Sequence, residues 1–117
     1  MPRYLLLLHG DESSEDKLSA GEKRTIVEQH LALIRELSAA GKLVASEALH
    51  HSSRTKLVRP DGRGGGTVTD GPFAETKEVV GGFYLLECEG DDEALRWARR
   101  MPVGAGLVVE VRPVADV

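Results

Sequence analysis

The stretch Asp70-Gly-Pro-Phe-Ala-Glu-Thr-Lys-Glu78 concentrates the polar chemistry of this chain. It holds Asp70, Glu75, Lys77 and Glu78, and it is fenced by Gly71, Pro72, Gly81 and Gly82. Polar groups on a glycine-bounded loop beside an apolar run suit a small-molecule site. A carboxylate there becomes a general base when burial or a second carboxylate raises its pKa. Asp70 is the candidate acid or base, with Glu78 assisting, and Glu75 and Lys77 are candidate ligand contacts. The plainer alternative is that Asp70-Gly-Pro is a turn and Glu75 to Glu78 a solvated segment.

His9 is the second candidate for proton transfer. It ends the apolar run from Tyr4, beside a polar loop, and an imidazole pKa of about 6.5 suits chemistry near neutrality. Its alternative is a strand-end histidine facing solvent. Glu110 and Arg112 share one face of the last apolar run, opposite Leu107, Val109 and Val111. If the apolar set faces helices, Arg112 is free to hold an anionic ligand or to pair with a carboxylate. An ordinary cross-strand ion pair is the alternative. His30 follows Ile26 and precedes Ile34 by four positions, which makes it a core histidine of an apolar helix face. His50 and His51 are adjacent, so on an extended chain they point apart and chelate poorly. No spacing supports a metal site, and no metal or cofactor is expected. Gly62-Arg-Gly-Gly-Gly66 lacks the Lys-Ser/Thr ending of a phosphate loop and reads as a hairpin tip. Arg96, Trp97, Arg99 and Arg100 read as a solvated helix face, and Cys88 as core.

These residues need elements to position them. Tyr4 to His9 reads as a strand that is apolar on both faces. Gly10 to Lys17 reads as a loop. Ser19 and Glu22 form a capping box that opens a helix carrying Ile26, Val27, Leu31, Leu33, Ile34 and Leu37, with Gly41 closing it. Leu43 to Leu49 is a strand, and 55–69 a hairpin about Pro60-Asp61-Gly62. Phe83 to Glu89 is a strand. Asp91 caps a helix over 92–101 with Leu95, Ala98 and Met101 on one face, and Pro102 stops it. Leu107 to Arg112 is the last strand. The order is the split βαβ, α+β, ferredoxin-like arrangement: an antiparallel sheet with both helices on one face and an extra hairpin. The doubly apolar first strand then needs a cover on the bare face. A second copy supplies it, so a homodimer with sheets face to face is expected.

Composition sets the bounds. The chain has 117 residues, which suits one domain over 1–117 with its own core. A 41% hydrophobic share excludes global disorder, and a net charge of −4 argues against direct nucleic-acid binding. The single cysteine excludes an intrachain disulfide and fits a reducing, cytoplasmic setting. Leu5 to Leu8 is too short to span a membrane.

Asp70-Gly-Pro-Phe73, followed by Ala-Glu-Thr-Lys-Glu-Val-Val-Gly-Gly-Phe-Tyr-Leu-Leu-Glu87, resembles the signature of the DGPF branch of YCII-related proteins. Tyr4-Leu-Leu-Leu-Leu8, Gly10-Asp-Glu12, Gly41 to Leu49, Glu93 to Ala98 and Val109 to Pro113 extend the resemblance over nearly the whole chain. It implies a ferredoxin-like fold and a dimeric α/β barrel. It also implies kinship with a chloromuconolactone dehalogenase and association of some members with sigma factors. A His–Asp pair is a proposed site in YCII proteins. Here no histidine lies in the matching motif, and His9 stands where the branch more usually has an aromatic residue.

Two readings of function follow. One is a cofactor-free lyase, isomerase or dehalogenase-type enzyme that moves a proton on a small acidic metabolite. Asp70 would act in it with His9 or Glu78, and Arg112 would hold the anion. The other is a non-catalytic dimeric module that binds a small molecule or a protein such as a sigma factor.

Overall fold

Consecutive leucines suit an interior strand, and Arg3–Gly10 forms β1 between two neighbouring strands of the sheet. A computed structural model describes residues 1–73, 78–104 and 106–117. The remaining strands are β2 (Leu43–Ala48), β3 (Lys56–Pro60), β4 (Gly66–Asp70), β5 (Val79–Glu87) and β6 (Val108–Pro113). The helices are α1 (Glu12–Glu15), α2 (Ala20–Ala39) and α3 (Asp91–Arg99). Four strands pair in the order β2-β5-β1-β6, all antiparallel, and β3–β4 stands apart as a hairpin. This is the ferredoxin-like arrangement.

Local chemistry explains the long helix. Ser19 accepts from the Glu22 amide while Glu22 reaches back to the Ser19 amide, so two otherwise orphan donors are satisfied. At the other end Lys42 donates to Leu37 and Gly41 to Ser38, with Gly41 at φ 71°, which only glycine adopts without strain. Strand alternation then sorts the sheet. Tyr4, Leu6, Tyr84 and Leu86 turn to the helices and bury against Leu33, Leu37, Cys88, Ala94 and Met101. Leu5, Leu7, Phe83 and Leu85 occupy the opposite face and are only half-buried.

Three expectations need correction. Residues 10–17 are not all loop: Asp11 accepts from the Ser13 amide at 3.0 Å and so starts the single turn α1. The second long helix starts at Asp91 with Gly90 at its cap, because the Asp91 carboxylate instead accepts from the Tyr4 hydroxyl at 2.7 Å. Its inward face is Ala94, Trp97 and Ala98, followed by Met101 just beyond the helix; Leu95 remains 40% exposed, and Trp97 packs on the core rather than on a solvated face. β5 begins at Val79, so both glycines lie inside the strand. At Gly82 an added Cβ would stand 3.1 Å from the Glu47 carbonyl of β2, which is why a side chain is missing there. Among the described residues no helix is long and apolar enough to cross a membrane.

Candidate functional site

The end of β1, the start of β5 and the chain leaving β2 border an open pocket of about 630 Å³. Its apolar wall is Leu49, Pro72, Phe73, Val79 and Val80; its polar wall is His9, His50, His51, Ser52, Arg54, Thr55 and Glu78. This mix of an apolar wall and a few convergent polar groups suits a small ligand.

Strand register places His9. It follows Leu5 and Leu7 on the face away from the helices, opposite Val108 on β6. Glu110 is its diagonal neighbour two residues on, and their side chains meet with Nε2 to Oε1 at 2.9 Å. Arg112 approaches the other Glu110 oxygen at 3.6 Å. In the neutral ring paired with an ionised carboxylate, the carboxylate can only accept, so the imidazole proton is assigned to Nε2 and the lone pair to Nδ1. Glu110 therefore orients the imidazole, and the exposed Arg112 guanidinium adds only a solvent-screened attraction to Glu110.

A clasp holds the wall opposite. Glu12 on α1 accepts from the Ser52 amide at 2.8 Å and from the Ser52 hydroxyl. His51 Nε2 lies 3.7 Å from Glu12 and 3.7 Å from Asp16. The Ser53 amide donates to His51 Nδ1, which leaves the Nε2 proton for these carboxylates. Burial pushes the Glu12 pKa up, but the two Ser52 hydrogen bonds and the nearby His51 outweigh it and hold the carboxyl below its usual range. Ser52–Arg54 forms a tight 3₁₀ turn, so the clasp fixes the segment that carries Arg54 and Thr55. Arg54 donates to His50 Nε2 at 3.4 Å. Among the described residues no three His, Cys, Asp or Glu side chains converge as metal ligands.

The sequence profile of the YCII-related domain matches residues 2–117. The chain belongs to the YCII-related family. It is similar to an uncharacterized protein of Rhizobium meliloti (strain 1021), 37% identical over 114 residues that span 96% of this chain and 91% of that protein.

In this YCII-related chain the residues singled out by sequence separate into groups. His9, Glu110 and Arg112 come together on one sheet face, and Glu78 joins His9 on the cavity wall. Asp70 ends β4 with its side chain 83% exposed, ion-paired to Lys56 across the hairpin, and it does not line the cavity. Glu75 and Lys77 lie outside the described residues. Sequence reasoning missed Glu12, Ser52, Arg54 and Thr55. Their only signal is the polar composition of two connections, Asp11 to Asp16 and Ser52 to Thr55, which touch only in the folded chain.

Proposed function

We propose that this YCII-related chain catalyses proton transfer on a small acidic metabolite, with His9 as the base. The carrying observation is the His9–Glu110 pair, which leaves Nδ1 as a free lone pair on a ring that lines a ligand-sized cavity. Arg54 on the same wall holds the substrate carboxylate. His9 Nδ1 takes a proton from a carbon next to a carbonyl, and the electron pair moves onto the carbonyl oxygen. The electron pair then returns from the oxygen as His9 gives the proton back to the same carbon, or, where a β,γ double bond is present, to the γ-carbon, which completes a 1,3-shift without net change in charge. Glu78 serves as the second proton-exchanging group. Glu110 acts as the positioning residue. Asp70 has no part in this assignment, because its carboxylate is engaged with Lys56 on the hairpin. The motif Asp70-Gly-Pro-Phe73 supports placement in the DGPF branch of the family.

The test is deuterium incorporation from D2O into a panel of short 2-oxo and 3-oxo carboxylates, followed by NMR. At least one panel member is expected to exchange faster with wild-type protein, and His9→Gln to abolish that gain while remaining folded. Exchange that survives in His9→Gln would sink the base assignment. Saturable binding without any exchange would instead support the non-catalytic module.

The same reading includes a homodimer. Leu5, Leu7, Phe83 and Leu85 form an apolar strip on the open sheet face, flanked by the Arg3–Glu87 ion pair at 3.4 Å. A second copy covers this strip. Light scattering is expected to give twice the chain mass, and Leu7→Glu the mass of one chain; a monomeric wild type overturns it.

A further inference from the structure

The hairpin of β3 and β4 stands out from the body of the chain. Among the described residues its two strands pair only with each other. A lone two-stranded hairpin is marginal in water. The radius of gyration is 16.1 Å, whereas a compact chain of this length has about 13 Å. The Cα envelope measures 43 × 43 × 20 Å, which is a slab. Its thin dimension is that of one sheet layer and one helix layer, so the hairpin prolongs the slab as an arm. At the arm's base the Gly71 amide donates to the Thr55 carbonyl at 3.0 Å. Thr55 and Pro72, on either side of that bond, both line the His9 pocket.

The arm carries apolar surface that its own chain does not cover. Val58 and Val68 are direct cross-strand partners, 58% and 61% exposed. Strand alternation puts the Lys56–Asp70 ion pair on the same side, two residues away, so this side has no net charge.

We propose that the arm reaches across a second copy of the chain and lays Val58 and Val68 on the partner's open sheet face. The inference rests on the homodimer reading above and adds how the copies hold each other. The size of the interface favours it. The four half-buried side chains Leu5, Leu7, Phe83 and Leu85 expose on the order of 300 Å², whereas a stable interface takes about 800 Å² from each copy. The strip alone is too small, and the arm supplies more surface. Symmetry favours it as well, because one two-fold operation seats both arms and covers both strips. The charges match: the valine pair is flanked by Lys56–Asp70 and the strip by Arg3–Glu87, each a neutral ion pair beside apolar side chains. Such a surface offers no net field to draw nucleic acid or an anionic membrane.

The test places a nitroxide on the arm and reads the other copy. Thr67→Cys carries the label on the side of the arm opposite Val68, and Cys88 is fully buried and so protected from labelling. Labelled chain without ¹⁵N is mixed with ¹⁵N-enriched wild type. Amide signals of Leu5, Leu7, Phe83 and Leu85 in the enriched copy are expected to broaden and to sharpen again when the nitroxide is reduced. Val58→Ala combined with Val68→Ala is expected to raise the dimer dissociation constant roughly ten-fold or more in sedimentation, the value of two lost apolar contacts. A monomeric wild type overturns this inference together with the homodimer reading. A dimer whose open-face signals stay sharp, or whose dissociation constant is unchanged in the double variant, overturns the arm contact and leaves the homodimer standing.

Discussion

Removing the Glu12 carboxylate is expected to loosen the pocket wall that carries Ser52, Arg54 and Thr55. The Glu12 side chain is 21% exposed and accepts from both the amide and the hydroxyl of Ser52. A hydrogen bond to a charged group contributes about 1.5–3 kcal/mol when well shielded. Partial exposure reduces this, and the half-buried Ser52 amide would lose its acceptor. Glu12→Ala is therefore expected to cost about 2 kcal/mol in urea unfolding. In a double-mutant cycle with Ser52→Ala, the hydroxyl share is expected as about 1 kcal/mol of coupling. Hydrogen exchange at the Ser52 amide is expected to accelerate in Glu12→Ala, since the loop opens without the clasp. The pH dependence has a definite sign. The folded pKa lies below the ordinary 4.5, so the contribution is complete above that value and is lost as pH falls through the folded pKa. Coupling below about 0.3 kcal/mol, together with unchanged Ser52 protection, would refute the clasp.

Other perturbations test the rest of the framework. Leu6 is fully buried in the centre of β1, and Leu6→Ala is expected to cost about 2–5 kcal/mol in urea unfolding; a loss under about 1 kcal/mol would contradict the packing described. Gly71→Ala would place a Cβ 2.9 Å from Thr55 Cγ2 and 3.1 Å from Leu57 Cγ. Both side chains must then move, at a cost of about 1–3 kcal/mol, and unchanged thermal stability would show that the contact is slack. Burial depresses the His30 pKa, so its contribution is present above the ordinary 6.5 and is lost as pH falls through the folded value. His30→Gln is expected to flatten the stability–pH curve in that window, and an unaltered curve would contradict the depressed pKa of the half-buried ring. Ser19→Ala is expected to cost about 1 kcal/mol by removing the α2 cap, and calorimetry would show it as a lowered Tm.

The candidate site was only partly legible in the sequence. His9, Glu110 and Arg112 were all recognisable from strand period, because alternation alone puts Glu110 and Arg112 on one face. Their union with His9 depends on the pairing of β1 with β6, across a separation of about a hundred residues that no local pattern encodes. The emphasis on Asp70 followed from a dense local motif, yet hairpin pairing directs its side chain to Lys56. Glu12 looked like one more loop acid. Only the close approach of α1 to the Ser52 turn makes it a hydrogen-bond acceptor for the wall of a cavity.

What the sequence determined by itself is the set of elements and their order. The capping box at Ser19 and Glu22, the glycine stop at Gly41 and the periodicity of apolar residues act over a few positions, so they are written locally. The same periodicity also assigns Tyr84 and Cys88 to the core and Leu5, Leu7, Phe83 and Leu85 to the open face. Tertiary structure decided which polar groups meet. Hydrogen bonds such as His9–Glu110, Glu12–Ser52 and His30–Tyr84 act over about 3 Å, a range set by strand register and helix docking rather than by sequence spacing. Residues far apart in the chain therefore acquire their chemistry only when the sheet closes around β1.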